Sequence, residues 1–325
     1  MKLSLNLNLL SLVFACLVGL SAGALGQDYP SKPVKIVVGY VPGGSPDFTA
    51  RMLAQYLPEY LGQPVVIDNR PGAGGTLATA QVAKAPADGY TLLMGESGQL
   101  VIAPHLFKDL HYDPVKDLTP IALATTEPLV LVSNAKTTNI RTIQDLIREA
   151  KANPGKLNYG SSGLGSIHHI AMEVFNNEAG INITHVPYKG TGQSVPALLG
   201  GDVQLLITSF TGVWSHVQAG TVNLLAVSSG GRFPDVPNTP SLSDVVPGYD
   251  YPVQIGLLGP AGLPPEVVTK LSNAIKAVLQ KPELLKKLKF RSQMTWTTPE
   301  EYREIIRQNL KKYERAVKLA NVPRS

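Results

Sequence analysis

The residues with most chemistry to offer are glycines and serines gathered where strands should turn into helices. Pro42-Gly43-Gly44-Ser45 and Pro71-Gly72-Ala73-Gly74-Gly75 form two such loops early in the chain. Ser161-Ser162-Gly163-Leu164-Gly165-Ser166 and Tyr188-Lys189-Gly190-Thr191-Gly192 form two more in the middle. Glycine lets a backbone approach a ligand closely and adopt positive φ. The free N–H groups of a first helical turn, reinforced by the helix dipole, favour an anion. The dipole contributes about 0.3–1 kcal/mol per helix, and each hydrogen bond to a charged group roughly 1.5–3 kcal/mol. Two or three N–H donors can therefore hold a carboxylate without an arginine. One such loop alone reads as a tight turn; several facing loops in two repeated units read as a binding site.

Side chains beside these loops carry two readings each. Asp47 either accepts loop N–H groups or a ligand ammonium, or serves the helix start as a dipole partner. Phe48 either lines a cleft or packs inward. His168 and His169 are adjacent on a helix and point apart, which makes them a poor metal pair. Lys189 can draw an anion to the cleft edge or simply sit in solvent. The G-x-S-x-G elbow, H-E-x-x-H and P-loop patterns are missing, and Leu77 stands where a dinucleotide fingerprint needs Gly or Ala. A Ser–His pair such as Ser162 with His169 is the remaining route to a hydrolase, but no nucleophile, base and orienting group stand out together.

The elements that must position these loops alternate between short apolar strands and amphipathic helices, which predicts α/β architecture with largely parallel sheets. In order come a strand at Val34–Gly39, a loop, a helix over Pro46–Leu61, a strand at Val65–Ile67, a second loop and helix, and a strand at Tyr90–Met94. The middle of the chain repeats that order: Leu157–Tyr159, loop, helix, Thr184–Val186, loop, helix, Val203–Thr208. Two similar lobes follow, related by elements and not by residue identity. Pro120–Ser133 is long and apolar enough to leave one lobe for the other, and Tyr251–Leu258 can return, giving a two-stranded hinge. Near the C-terminus Thr298-Pro299-Glu300-Glu301 reads as a capping box, followed by the stripe Tyr302, Ile305, Ile306, Leu310 and Tyr313.

Residues 1–26 read as a secretory signal peptide: Lys2, an apolar run from Leu9 to Leu20, then small residues. That run is too short for a transmembrane helix, which needs roughly 20 apolar residues. Cys16, the one cysteine, leaves with it, so the mature chain is expected to have no disulfide, thiolate nucleophile or cysteine metal site. Its length suits two ordinary domains. The formal charge is +5, concentrated from Lys281 onward. This basic stretch reads as a solvated helix face and not a nucleic-acid surface, because its aromatics sit at core spacing.

A series of ordered motifs then resembles one family. These are Pro42-Gly43-Gly44-Ser45-Pro46-Asp47 with Ala50-Arg51, Asn69-Arg70-Pro71-Gly72-Ala73-Gly74-Gly75, and Asp88-Gly89-Tyr90-Thr91-Leu92-Leu93. Gly165-Ser166 with His169, His185-Val186-Pro187-Tyr188-Lys189-Gly190, Leu225-Ala226-Val227 and Pro260-Ala261-Gly262 continue the series. Together they resemble the Bug family, the extracytoplasmic receptors of tripartite tricarboxylate transporters. The resemblance implies a type II periplasmic-binding-protein fold, with residues 27–125 and 251–325 in one lobe and 126–250 in the other. It implies a periplasmic, monomeric receptor that closes on a small carboxylate, with transporter membrane components as partners, no nucleic acid, no metal and no cofactor. By position it implies contacts from Pro42, Gly43, Gly44, Asp47 and Phe48 and from the Glu96–Gly98 loop with Ser97 and Gly98. From the second lobe it implies Ser161, Ser162, Gly163, Ser166, His169, Tyr188, Lys189, Gly190, Thr191, Ser209 and Phe210. Gln204, Gln254 and Leu263 depart from residues common in the family, and Gln254 is expected near the return hinge, facing the cleft. A ligand sensor for a signalling partner is the alternative within the binding class.

Overall fold

The computed structural model describes residues 29–284, 293–322 and 324. The signal-peptide reading, and Lys286, Lys287, Lys289 and Arg291 of the basic stretch, lie outside the described residues. Strand β1 (Val34–Val38) is almost wholly buried, as its VKIVV sequence demands, and lies between β2 (Val65–Asn69) and β3 (Thr91–Glu96), parallel to both. Helix α1 (Ser45–Leu61) follows β1. It starts with Pro46 in its first turn and stops at Gly62, whose φ of 70° closes the C-cap. Its buried face carries Ala50, Met52, Leu53, Leu57 and Leu61, whereas Phe48 and Tyr56 are only partly covered. Helix α2 (Thr76–Ala83) follows the second Gly loop.

The middle of the chain repeats this arrangement. Strand β6 (Asn158–Ser161) lies between β7 (Thr184–Pro187) and β8 (Leu205–Ser209), parallel to both. Helix α4 (Ile167–Ala179) follows β6, α5 (Thr191–Gly200) follows β7, and α6 (Phe210–Gln218) follows β8. Helix α3 (Ile143–Ala152) precedes this unit and is held by a capping box from Thr142 and Asp145.

The sheets are mixed, not largely parallel as the sequence suggested. The first has the order β11-β4-β10-β3-β1-β2, where β4 (Leu118–Glu127), β10 (Val253–Pro260) and β11 (Gln293–Met294) add antiparallel pairings. The second has the order β7-β6-β8-β5-β9, with β5 (Leu129–Asn134) and β9 (Val222–Val227) also antiparallel. The connecting strands cause this. A chain that crosses between sheets and returns without a crossover helix arrives antiparallel.

Pro128 divides the outgoing crossing into β4 and β5. Ser228, fully buried, ties the two crossings together. Its N–H donates to the Leu129 carbonyl at 2.8 Å, and its Oγ accepts from Leu129 N–H at 2.8 Å. The Ser228 carbonyl accepts from Tyr251 N–H at 3.1 Å. Helices α7 (Pro265–Leu279) and α8 (Pro299–Leu319) cover the first sheet. The capping box forms as read, with Glu301 N–H donating to Thr298 Oγ1 at 3.2 Å and Thr298 N–H to Glu301 Oε2 at 2.7 Å. Tyr302, Ile306 and Tyr313 are buried, with Ile305 and Leu310 packed beside them. Helix α8 also reaches α4, through Arg315 and Glu178 at 3.1 Å. Other basic residues of this stretch are paired too: Lys281 with Glu59, Lys312 with Asp250 and Lys318 with Glu314. Among the described residues no helix is long and apolar enough to cross a membrane.

Candidate functional site

A cavity of about 990 Å³ opens between the two sheets' loop ends, and both repeated units contribute to its wall. The first unit supplies Gly43, Gly44 and Phe48 from the β1 loop, Pro71 to Gly74 from the β2 loop, and Gly98 after β3. The second supplies Ser162 and Ser166, then Lys189 to Thr191, then Ser209 with Thr211 and Gly212. The loops lie together because each follows the carboxyl end of a parallel strand, the end where open α/β sheets present ligands.

Among the described residues, five helices of eight residues or more begin on this wall: α1, α2, α4, α5 and α6. Four of them, capped by Gly44, Gly75, Gly190 and Ser209, receive no side-chain cap hydrogen bond. Only α4 is capped, by Ser166 Oγ accepting from His169 N–H at 3.3 Å. Away from the cavity, α3 and α8 both have complete capping boxes. The first-turn N–H groups of a helix need a partner from side chain, water or ligand. At the cavity the Thr76 N–H is met by the Ala73 carbonyl and the Gln193 N–H by the Gly190 carbonyl at 3.1 Å, and the other first-turn N–H groups of these four helices, with no side-chain cap, are left for the last two. Glycine is required by geometry at two of these corners. Gly75 has φ 90° and a Cβ there would lie 2.0 Å from Gln99 Oε1; Gly163 has φ 127° with the Tyr188 carbonyl 3.1 Å from where a Cβ would sit.

Several expected contact residues stand behind the wall and brace it. Asp47, 3% exposed, accepts from Gly43 N–H, Arg51 Nε and Asn69 Nδ2, each at 2.9 Å. Burial opposes its charge, but the Arg51, Gly43 and Asn69 hydrogen bonds outweigh that and hold its carboxyl below the usual range. It is a clasp on the first Gly loop, the first of the two roles considered for it. Ser97 Oγ accepts from Gln254 N–H at 2.9 Å and so fastens the end of β3 to β10. Ser161 Oγ meets His185 Nε2 at 2.7 Å, and His169 accepts from Gly165 N–H at 3.1 Å while its ring stacks on His185 with centroids 3.9 Å apart. Burial lowers the pKa of His169 to about 3, with the His185 ring adding to it, and that of His185 to about 4. Gly163, Tyr188 and Pro42 also lie off the cavity wall.

Two expectations are corrected. Phe210 is 1% exposed and belongs to the second lobe's core, where it stacks on Trp214 and packs at a tilt against Phe233. It does not offer a face to a ligand ring. Gln254 lies away from the cavity, accepting from Asn309 Nδ2 of α8 at 2.6 Å and lining a separate hollow of about 310 Å³ behind the hinge. Strand alternation explains this: Val253 faces the cavity, so its neighbour faces the other way.

The sequence reading passed over Tyr40, Thr125, Glu127 and Val253, which line the cavity. Glu96, Leu164 and His168, which belong to segments it did single out, line it too. One signal was available for Glu127, a lone acid between two apolar runs. His168 Nδ1, and not His169, meets Ser162 Oγ at 2.5 Å. Its Nε2 is buried with no hydrogen-bond partner, and burial lowers its pKa to about 4. The Ser162–His168 pair thus lacks the acid that would orient a catalytic base. No group of three or more metal-ligating side chains occurs among the described residues.

The family pattern of the tripartite tricarboxylate transporter receptors (TctC) matches residues 49–322. The chain belongs to this receptor family. Protein BugT of Bordetella pertussis is 36% identical over 270 residues, 82% of each chain. Among solved structures, a Rhodopseudomonas palustris protein with adipate superposes with a TM-score of 0.84 at 33% identity, covering 91% of this chain and 99% of the other. The malate-bound MatC of R. palustris gives 0.80 at 29% identity, covering 89% and 100%. The periplasmic binding protein BugD gives 0.81 at 30% identity, covering 91% and 100%. The receptor therefore has the two-lobed periplasmic-binding-protein fold, and its Bug-family resemblance stands. Its relatives are solute-binding receptors, not enzymes.

Proposed function

We propose that this protein is exported to the periplasm by its N-terminal segment, captures a small organic carboxylate by closing two lobes on it, and passes it unchanged to the membrane components of a tripartite tricarboxylate-type transporter. The lobes are residues 27–125 with 251–325, and 126–250, hinged at Pro128 and Pro252. The observation that carries this reading is the convergence of four helix N-termini without side-chain caps on one cavity. Their N–H groups and dipoles form an anion site needing no arginine. Closure follows from a ligand that touches both lobes and so binds the closed state more tightly. The adipate and malate held by the two R. palustris relatives support the ligand class.

Thermal-shift assays with a carboxylate panel test the reading, since a ligand that binds only the folded state raises its melting temperature. At least one small carboxylate should shift the transition and be recovered unchanged from the complex. Turnover of the bound compound by the pure protein would overturn it.

A further inference from the structure

The strands that join the lobes have two faces, and the cavity uses only one. Strand register sets Thr126 of β4 opposite Gln254 on β10 and opposite Gln293 on β11. Residues opposite each other share a face, and successive residues alternate. This row therefore points away from Thr125, Glu127 and Val253, which line the cavity. It forms one side of the hollow of about 310 Å³ behind the hinge. The second lobe supplies the other side, with Ser229, Arg232, Phe233 and Asp250. Pro128 and Pro252 line the hollow between them.

Both sides are firm. On the first, Asn309 of α8 donates to Gln254 Oε1 at 2.6 Å. On the second, Gly230 N–H donates to Asp250 Oδ1 at 3.0 Å, and Phe233 is buried in the lobe's core. A rotation about Pro128 and Pro252 that narrows the cavity must then widen the hollow, and one that opens the cavity must bring the hollow's sides together. Close-packed protein yields little to compression, so whatever stands in the hollow limits opening without touching the solute. Resting on the hinged-receptor reading above, we propose that this hollow is a control point for closure: bulk placed in it props the receptor towards its closed form and raises its affinity. Apparent affinity scales with the fraction of protein in the binding-competent state, so raising the closed fraction from about 1% to about 10% tightens binding about tenfold.

The test is a wedge of graded size. In a Cys16→Ser background, which removes the one native thiol, Thr126→Cys puts a single thiol on the half-buried centre of the hollow's first side. It is capped either with a methylthio group or with pyrenylmaleimide. Small-angle X-ray scattering without ligand should give a smaller radius of gyration for the pyrene adduct than for the methylthio adduct. The same two labels on Lys151→Cys, exposed on α3, should give no such decrease. Calorimetric affinity for adipate or malate should rise about tenfold with the pyrene adduct at position 126. If Thr126→Cys does not fold, Ser229→Cys places the wedge from the opposite side and should give the same compaction. A radius that is unchanged or larger with the pyrene adduct, or an affinity that stays level or falls, overturns the inference and leaves the carboxylate receptor standing. Should neither acid bind any form, scattering alone decides the role of the hollow, and the carboxylate reading is decided separately by its panel.

Discussion

Gly44→Asp separates ligand binding from stability. Gly44 is the N-cap of α1, with φ −78° and ψ 170°, a conformation open to any residue. A Cβ added there would meet nothing nearer than Pro46 Cδ at 3.9 Å. The new carboxylate can cap first-turn N–H groups, and replacing a glycine cap gains only a few tenths of a kcal/mol. Asp47, already held by Arg51, Gly43 and Asn69, repels it and trims that gain. Folding stability should therefore change by no more than about 0.5 kcal/mol, or about 1–2 °C in melting temperature. Binding should respond very differently. The capped N–H is lost to the ligand, worth roughly 1.5–3 kcal/mol, and a fixed anion now stands where the ligand anion should sit. A loss of at least about 2 kcal/mol, roughly thirtyfold in Kd, is expected. Gly44→Ala, which neither caps nor adds charge, should bind within about threefold of wild type. Calorimetry with whichever carboxylate the panel identifies, beside melting curves of the ligand-free proteins, gives both quantities. Unchanged affinity in Gly44→Asp would refute the assignment of this helix N-terminus to the ligand.

Asp47→Asn should destabilise the protein by about 1–3 kcal/mol, since it breaks the ion pair with Arg51 at a buried site, measured by urea unfolding. Because the folded-state pKa of Asp47 is lowered from 3.8, its contribution is present above that value and is lost as pH falls through the lower folded pKa; the Asn variant should lack this loss. Ser228→Ala should cost about 1–3 kcal/mol in the same assay, because the buried Leu129 N–H loses its acceptor. His168, His169 and His185 remain neutral in the fold down to about pH 3–4 but take up protons near 6.5 when unfolded. Unfolded chains therefore bind more protons between these values, and melting temperature should drop as pH falls from 6.5 towards 4. Glutamine substitutions at these positions should flatten that part of the profile.

Local rules made much of this molecule legible in its sequence. The VKIVV run is a buried parallel strand, Pro46 and Gly62 bound α1, and Thr298 with Glu301 cap α8, because strand burial, helix entry and helix exit depend on residues within one or two turns. The repeated strand–loop–helix order and the Gly loops carried the architecture and the place of the cavity for the same reason. The direction in which a side chain finally points is different. Asp47 looks available to a ligand in sequence, yet Asn69, 22 residues on, completes its clasp. His168 and His169 are adjacent, but only the wall of β6 and β7 decides which meets Ser162 and which stacks on His185. Phe210 goes to the core and Glu96 to the cavity because of the sheets they end, and the mixed strand directions come from crossings set by the hinge. Residue order determined the elements and their loops; long-range packing decided which side chains those loops expose and which they bury.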